Sequence, residues 1–157
     1  MINCTFENGN KASPPLRHVV IDALVLKDDK ILLVKRAPHL TDGGKWADIG
    51  GFAQWDEFLE QTVKREVLEE TGYTIKDCIF FTFLDKPNRN EDRQNISFVY
   101  LCTAGEKIGS ADNESTEIKW FAFDELPEEK EFAFDHYQII QLYLKYKKEH
   151  LPLPIIQ

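Results

Sequence analysis

The sequence predicts an α/β fold of the α+β kind, an α/β/α sandwich with a mixed β-sheet between two helices. Short runs rich in β-branched and aromatic residues recur between residues 17 and 123, and turn residues separate them. One amphipathic helix interrupts these runs and a second follows them, each with an apolar stripe on one side. Because each stripe needs a surface to cover, we expect one helix on each face of the sheet.

The strands are predicted from apolar runs bounded by turn and loop residues. The first two form a hairpin, because Asp28 and Asp29 stand between them as a short turn. The polar sequence KPNRNEDRQ joins two later strands. In chain order the predicted strands are residues 17–27, 30–36, 46–50, 74–85, 95–104 and 117–123.

The first helix is predicted over about residues 57–71. Leu59, Val63 and Val67 recur at i, i+4 and i+8, so one side of this helix can dock on a core. Asp56 precedes it and is expected to be its N-cap, a position that aspartate favours. The helix therefore has a defined start and one buried side.

The second helix is predicted over about residues 135–149, and it completes a single domain at residues 17–150. Residues 1–16 are expected to form an N-terminal arm and residues 151–157 a C-terminal tail. Both end segments contain apolar residues that could pack on a neighbouring copy, so a homodimer is possible. The apolar stripe of this helix is Ile139, Leu142, Tyr143 and Tyr146.

Composition excludes several classes of protein. A net charge of −8 argues against a long nucleic-acid backbone as partner, although a metal ion can bridge acidic protein and a small phosphorylated ligand. No apolar run approaches the roughly 20 residues that span a membrane, so no membrane partner is expected. Cys4, Cys78 and Cys102 are too dispersed for a disulfide framework or a zinc knuckle, which favours a reducing, cytoplasmic location.

The most informative segment is GFAQWDEFLEQTVKREVLEETGY, at residues 51–73. At about 100° per residue, Glu66, Glu69 and Glu70 fall within an arc of roughly 100° on one helix face. Such carboxylates repel one another unless positive charge lies between them, and oxygen ligands favour hard cations such as Mg²⁺ or Mn²⁺. Arg65 stands four residues before Glu69, where it can orient or neutralise a carboxylate.

The spacing of this segment resembles the Nudix box. Gly51 is followed after five residues by Glu57 and after seven more by the sequence REVLEETGY, which begins at Arg65. Three positions depart from the pattern: Ile49 stands where relatives often have proline, Asp56 where they often have glycine, and Tyr73 where an aliphatic residue is more usual. The departures affect the path of the loop and remove none of the expected ligands.

The resemblance implies the layered fold and a metal-dependent hydrolase that cleaves the pyrophosphate of a nucleoside diphosphate linked to another group. It implies Glu66, Glu69 and Glu70 as metal ligands and the Gly51 carbonyl as a further ligand. Glu57 is then a ligand or an orienting group. The implied cofactor is Mg²⁺ or Mn²⁺, and the implied partner is a small nucleotide substrate.

Residues outside the box are less specific. The general base is expected within the box or at a distant glutamate, for which Glu117 and Glu114 are candidates; both are equally well explained as solvated acids. Lys35 and Arg36, at the end of a strand, are candidates for contact with phosphate. Trp55 could stack on a base or pack on its own helix.

Three further ring side chains are predicted to be structural. His39 and His136 lack ligand spacing and are expected at the surface. Trp120 lies in a predicted strand and is expected in the core.

Pro87 is the one hint at the substrate. It lies fifteen residues after Gly72, a spacing similar to that in ADP-ribose pyrophosphatases of the family. Arg89, in the same loop, is a further candidate for substrate binding. The sequence thus leans to ADP-ribose or another nucleotide sugar.

Three alternatives remain open at this point. One is a pyrophosphohydrolase of oxidised nucleoside triphosphates, and another is a Nudix module that senses a nucleotide without catalysis. A plain structural domain is the third, but it leaves the carboxylate cluster unexplained.

Overall fold

The computed structural model describes residues 17–87, 89 and 95–156, so the predicted arm lies outside the described residues. The helices are α1 (Leu59–Thr71) and α2 (His136–Glu149), and a 3₁₀ turn covers Glu129–Glu131. In chain order the strands are β1 (His18–Lys27), β2 (Lys30–Arg36), β3 (Trp46–Ala47), β4 (Ile49–Phe52), β5 (Tyr73–Leu84), β6 (Asn95–Lys107) and β7 (Ser115–Ala122).

β1 is the central strand of a mixed sheet. It pairs in parallel with β6 along one edge, while β2 and β4 share its other edge as antiparallel partners. The sheet runs β3-β2-β1-β6-β5, with β7 paired to β2. The predicted α/β/α sandwich with a mixed sheet is confirmed.

Alternating side chains of β1 build two hydrophobic layers. Ile21, Ala23 and Val25 belong to the layer that buries Val63 and Val67 of α1. Leu24 belongs to the layer beneath α2, whose buried apolar residues are Ile139, Ile140 and Tyr143. Each fully buried aliphatic side chain contributes about 1.5–3 kcal/mol, so the two layers fix both helices on the sheet.

α1 begins two residues later than predicted. Its N-cap is Phe58 rather than Asp56, because the Phe58 N–H donates to Gln61 Oε1 at 2.8 Å. The side chain of Glu57 is engaged elsewhere, by Thr62 and Arg65. Asp56 as the N-cap was therefore wrong, and Glu57 lies in the loop.

The predicted strand at residues 46–50 is two strands. Trp46–Ala47 pairs with β2 and Ile49–Phe52 pairs with β1, so the chain crosses between two partners at Asp48. This crossing places Asp48 inside the protein, where only 2% of the residue is exposed.

The predicted hairpin of the first two strands is present, and the C-terminal tail packs against the rest of the domain. Asp28 and Asp29 have φ values of 50° and 56°, as a tight two-residue hairpin turn requires. In the tail, the Ile155 N–H donates to the Phe81 carbonyl at 2.8 Å. Among the described residues, no helix is long and apolar enough to cross a membrane.

Candidate active site

Arg65 lies at the centre of the acidic cluster. Its Nε donates to Glu57 Oε1 at 2.7 Å, and its Nη1 donates to Glu66 Oε1 at 2.7 Å and to Glu69 Oε2 at 3.0 Å. Its Nη2 donates to the Phe52 carbonyl of β4 at 3.2 Å. One guanidinium therefore pairs with three carboxylates and ties them to the sheet. Its hydrogen bonds lower the pKa of Glu57 to about 2.

Glu70 and Glu66 lie in surroundings that oppose their charge. Burial and the nearby Glu66 carboxylate raise the pKa of Glu70 well above its ordinary value. Burial also raises the pKa of Glu66, despite the hydrogen bond from Arg65. The Gly50 N–H donates to Glu70 Oε1 at 3.3 Å. A carboxylate whose surroundings disfavour its charge is stabilised when a cation binds it in place of a proton. These carboxylate oxygens therefore fit a divalent metal.

A Cβ at Gly51 would overlap the Glu66 carboxylate in its present position and force it to move. This close approach brings the β4 backbone against the acidic face of α1, as the resemblance to the box implies. Glu69 is less enclosed, with 52% of its side chain exposed.

The loop before β7 adds further acids. The Asp112 N–H donates to the Glu69 carbonyl at 2.9 Å, and Asp112 Oδ1 accepts the Glu114 N–H at 2.8 Å. Glu114 lines the same cavity as Glu66, whereas Glu117 lies exposed on β7 opposite Lys35. Of the two candidates for the general base, the structure brings only Glu114 to the cavity.

A cavity of about 840 Å³ opens beside these acids, and Glu66, Glu70 and Glu114 form what is here termed its acidic wall. Its volume lies in the range of pockets that enclose small ligands. Beside the acidic wall lies a second group of side chains, here termed the inner polar cluster, drawn from β1, the β3–β4 crossing, the loop after β5 and the start of α2. The cluster consists of Asp22, Asp48, Arg89, Asp135 and His136.

His136 is buried, contrary to the prediction of a surface residue. Its Nδ1 lies 2.5 Å from Asp48 Oδ1 and accepts the Asp48 N–H at 3.1 Å. Its Nε2 lies 3.9 Å from Asp22 Oδ1. The first turn of α2 therefore inserts its imidazole beneath the β3–β4 crossing. The sequence contained an indication of this buried contact, because Asp22 and Asp48 each interrupt an otherwise apolar predicted strand.

Arg89 closes the other side of the cluster. Its Nε donates to Asp135 Oδ2 at 2.5 Å, and its Nη2 donates to Asp135 Oδ1 at 2.8 Å. Nη2 also lies 3.5 Å from Asp22 Oδ2, which accepts a hydrogen bond from the Ser97 hydroxyl. The predicted substrate residue Arg89 thus lines the cavity, whereas the neighbouring Pro87 is exposed and does not.

The Asp48–His136 pair holds a proton more tightly than either group would alone in water. Burial raises the pKa of Asp48 to about 6. Burial lowers the pKa of His136, but the Asp48, Asp22 and Asp135 carboxylates outweigh it, so the pKa is raised. Ligand atoms of Asp22, Asp48 and His136 lie within 4.8 Å of one another, a spacing compatible with a cation. The adjacent Arg89 guanidinium already supplies positive charge there.

The two basic residues at the end of β2 separate. Arg36 lines the cavity, with its Nε donating to the Thr41 carbonyl at 2.8 Å and its guanidinium 5.0 Å from the Phe134 ring centre. The Lys35 ammonium lies 5.5 Å from the Trp46 ring centre and does not line the cavity.

The two tryptophans considered for the site also differ. Trp55 is 97% exposed in the turn before α1 and neither packs on its helix nor lines the cavity. Trp120 packs against the layer beneath α1, and its Nε1 donates to the Tyr73 hydroxyl at 3.3 Å. The structural role predicted for Trp120 is confirmed. His39 is exposed, as predicted.

Comparison with known proteins decides the family. A family model described as the NUDIX domain matches residues 16–143. The chain belongs to the NUDIX family. The resemblance that the box carried is therefore confirmed, and so is the class of hydrolase.

Two curated relatives have sequences similar to this chain. The chain is 33% identical over 129 residues to an ADP-ribose pyrophosphatase from Methanocaldococcus jannaschii, covering 82% of this chain and 74% of the relative. It is 31% identical over 153 residues to the NAD-capped RNA hydrolase NudC from Mannheimia succiniciproducens, covering 95% of this chain but only 56% of that relative. The two relatives thus carry different substrate names.

A solved structure also resembles this NUDIX chain. It is a bifunctional NMN adenylyltransferase/ADP ribose pyrophosphatase from Francisella tularensis, complexed with AMP and a manganese ion. The TM-score is 0.69 at 29% identity, and the match covers 85% of this chain and 43% of that one. The shared part is therefore less than half of the Francisella protein.

Proposed function

We propose that this NUDIX hydrolase cleaves the pyrophosphate bond of a nucleoside diphosphate joined to another group, with ADP-ribose as the leading substrate. The observation that carries the proposal is the convergence of Glu66, Glu70, Glu114 and Gly51 on one wall of the cavity. An acidic wall of this kind can hold phosphate only through a cation.

The divalent cation would be Mg²⁺ or Mn²⁺. Glu66, Glu69, Glu70 and the Gly51 carbonyl would hold it, since all four ligands offer oxygen. When bound, such an ion neutralises phosphate oxygens and lowers the pKa of a coordinated water. The raised pKa of Glu70 supports this assignment, because burial has already made its proton or a cation necessary.

The other residues of the acidic wall orient and transfer protons. Arg65 holds Glu57, Glu66 and Glu69 in fixed positions through four short hydrogen bonds of 2.7–3.0 Å. Glu57 is thereby an orienting group. Glu114 is our candidate for the general base, since it lines the cavity beside Glu66.

The balanced reaction adds one water across the pyrophosphate. The water oxygen bonds to one phosphorus, the bridging P–O bond breaks, and ADP-ribose yields AMP and ribose 5-phosphate. Arg36 and Arg89 line the cavity and are our candidates for substrate contact, whereas Lys35, Trp55 and Pro87 do not line it. The name of the Methanocaldococcus relative supports ADP-ribose as the substrate.

A second candidate is a nicotinamide dinucleotide or a capped RNA end, which the match to NudC favours. It contains the same kind of pyrophosphate between two nucleosides. The chain spans about half the length of that relative.

A product-resolved panel tests the proposal. ADP-ribose, other nucleotide sugars, dinucleotides and nucleoside triphosphates, including oxidised ones, are incubated with the protein and Mg²⁺ or Mn²⁺. We expect ADP-ribose to give the highest kcat/KM. Pyrophosphate release from triphosphates alone would move the protein to the oxidised-nucleotide class, and binding without turnover would make it a sensor.

Location and assembly belong to the same proposal. Cys78 and Cys102 are free thiols, which fits a reducing cytoplasm. A homodimer is tested by sedimentation of the full chain.

A further inference from the structure

Two polar atoms of the inner polar cluster have no hydrogen bond among the described residues. They are Nε2 of His136 and Oδ1 of Asp22, which belong to side chains that line the cavity. The separation of these atoms is 3.9 Å, too long for a direct hydrogen bond. With respect to residues 17–87, 89 and 95–156, the cavity wall therefore presents two open positions side by side.

His136 is fixed as a donor at Nε2. Its Nδ1 faces the Asp48 carboxyl at 2.5 Å and the Asp48 N–H at 3.1 Å. The 2.5 Å contact requires a proton shared between Nδ1 and the Asp48 carboxyl, and with that proton in place, whichever group carries it, the remaining ring proton lies at Nε2. Asp48 thus determines which atom of His136 points to the cavity and what that atom can do.

Asp22 is fixed as an acceptor at Oδ1. Its Oδ2 accepts from Ser97 and lies 3.5 Å from Nη2 of Arg89. Both fixing contacts fall on the same oxygen, which leaves Oδ1 for a ligand. Gly50 lies opposite Asp22 in the register of β4 and β1, and the Gly50 N–H donates to Glu70 of the acidic wall. The open pair therefore adjoins the acidic wall.

The spacing selects a hydroxyl group. An oxygen about 2.8 Å from both atoms, an ordinary hydrogen-bond length, would see them at an angle of roughly 90°. A hydroxyl can accept from Nε2–H and donate to Oδ1 at the same time. A phosphate oxygen cannot donate to Asp22, and an ammonium group cannot accept from His136.

The charge of the cluster points the same way. Arg89 is paired with Asp135 and lies beside Asp22, so one guanidinium faces two carboxylates. The three carboxylates of the cluster, Asp22, Asp48 and Asp135, outnumber the two side chains that can carry positive charge, Arg89 and His136, which disfavours a phosphate in this part of the cavity. An uncharged group suits it.

We propose that the inner polar cluster is a subsite for a sugar hydroxyl of the substrate, bound by His136 and Asp22 and positioned by Asp48 and Arg89. The proposal rests on the proposed function for its substrate class, a nucleoside diphosphate sugar. His136 and Asp22 are then specificity-determining residues, and Asp48 is a positioning residue.

The first experiment needs no variant. The kcat/KM of the full chain is measured with ADP-ribose and with analogues that lack one ribose hydroxyl at a time. We expect one analogue to lose about tenfold or more, because a site built for a hydroxyl rejects a substrate without it. Equal rates for all deoxy analogues would overturn the proposal. So would a loss confined to analogues with an altered base edge, which would assign the pair to the base.

The second experiment pairs the substrate change with a protein change. His136→Phe keeps a ring and removes the donor, whereas His136→Gln keeps a side-chain N–H. We expect the kcat/KM of His136→Phe with ADP-ribose to fall by the same factor that the wild type loses with the sensitive analogue. With that analogue, His136→Phe should cause no further loss. His136→Gln should recover part of the kcat/KM with ADP-ribose. His39→Phe is the matched control, since His39 is exposed and outside the cavity. Equal losses of His136→Phe on both compounds contradict a hydroxyl contact.

Binding separates this proposal from the proposed function. Calorimetry with Ca²⁺ compares ADP-ribose with the same analogues without requiring turnover. If no compound of the panel is hydrolysed, the proposed function fails, and a tenfold weaker binding of one deoxy analogue still supports the subsite. Equal binding of all analogues overturns the subsite whether or not hydrolysis occurs.

Discussion

At the scale of residues, Glu70 shows how stability and function oppose each other. It is buried, with 8% of the residue exposed, and within the described part of the chain the hydrogen bond to its side chain comes from the Gly50 N–H. Burial and Glu66 raise its pKa, so its charged form destabilises the fold near neutral pH. A glutamate in this position is explained by a ligand that needs the charge, and a neutral side chain there would pack more easily.

Replacing Glu70 with glutamine is therefore expected to have two opposite effects. In EDTA the melting temperature should rise, by about 2–4 °C for each kcal/mol gained in a domain of this size. With Mg²⁺, kcat should fall by about 100-fold or more, since the variant lacks a charged ligand. Glu66→Gln should lose activity similarly, and the exposed Glu60→Gln on the same helix is the control. Near-normal turnover of both Glu70→Gln and Glu66→Gln in saturating Mg²⁺ would refute the ligand assignment.

Arg65 compensates for the acids around it. Its guanidinium contacts Glu57, Glu66 and Glu69 at 2.7–3.0 Å. In Arg65→Gln these carboxylates would face one another without that charge, so the melting temperature in EDTA should fall by at least about 2–4 °C. Added Mg²⁺ should raise the melting temperature of the variant more than that of the wild type. Equal Mg²⁺ shifts in the two proteins would contradict this role.

At the scale of elements, two glycines position α1, one at its C-terminal end and one on the strand that it packs against. Gly72 ends the helix with φ of 74°, and its N–H donates to the Leu68 carbonyl at 2.8 Å. A Cβ on Gly72 would also overlap the Gly109 carbonyl. Gly51, within β4, lets that strand approach Glu66. The box therefore encodes the fit of a helix to a strand as well as the proposed set of ligands.

Gly51→Ala tests that fit. The added methyl group would displace the Glu66 carboxylate, so we expect kcat/KM to fall about tenfold or more while the fold is retained. Gly109→Ala is the matched control, because the nearest heavy atom to its Cβ is the Gly72 Cα at 3.6 Å, an ordinary contact. Circular dichroism and thermal melts check folding. Wild-type activity in Gly51→Ala would show that the close approach is not needed.

The box was predictable from sequence because it is contiguous. Helical periodicity placed Glu66, Glu69 and Glu70 together, and the error at the N-cap was two residues. The contact between Asp48 and His136 joins residues 88 positions apart, which no local period connects. α2 was located by its apolar stripe, but the insertion of His136 depends on how that helix docks under the β3–β4 crossing.

At the scale of the whole molecule, β1 joins the two halves of the cavity. β1 pairs with β4 along one edge, where Asp22 lies opposite Gly50, and with β6 along the other edge. The fold thereby sets an acidic wall, suited to a cation and phosphates, beside a nearly neutral cluster suited to an uncharged group. The layered fold was predictable from alternation along the strands, whereas this adjacency depends on strand order.

The inner polar cluster should make stability depend on pH. The pKa of Asp48 is raised from 3.8 to about 6, and that of His136 is raised above 6.5. A raised pKa contributes stability that is present at low pH and lost as pH rises through the folded value. Asp48→Asn removes the first group and leaves a buried histidine that resists protonation.

Asp48→Asn is therefore expected to be less stable than the wild type below about pH 5 and to approach or exceed it above pH 7. Thermal melts of both proteins from pH 4 to pH 8 in EDTA measure the difference. Parallel curves across that range would show that the pair does not titrate with folding.

The central claim is that a carboxylate-bound divalent cation and this cavity hydrolyse a nucleoside diphosphate sugar. It is tested most directly by incubating the full chain with ADP-ribose and separating the products, with Mg²⁺ and with EDTA. We predict AMP and ribose 5-phosphate in equal amounts with Mg²⁺, neither product in EDTA, and neither from a Glu66→Gln, Glu70→Gln double variant. Intact ADP-ribose after incubation of folded protein with either Mg²⁺ or Mn²⁺, or products formed equally well by the double variant, would contradict it.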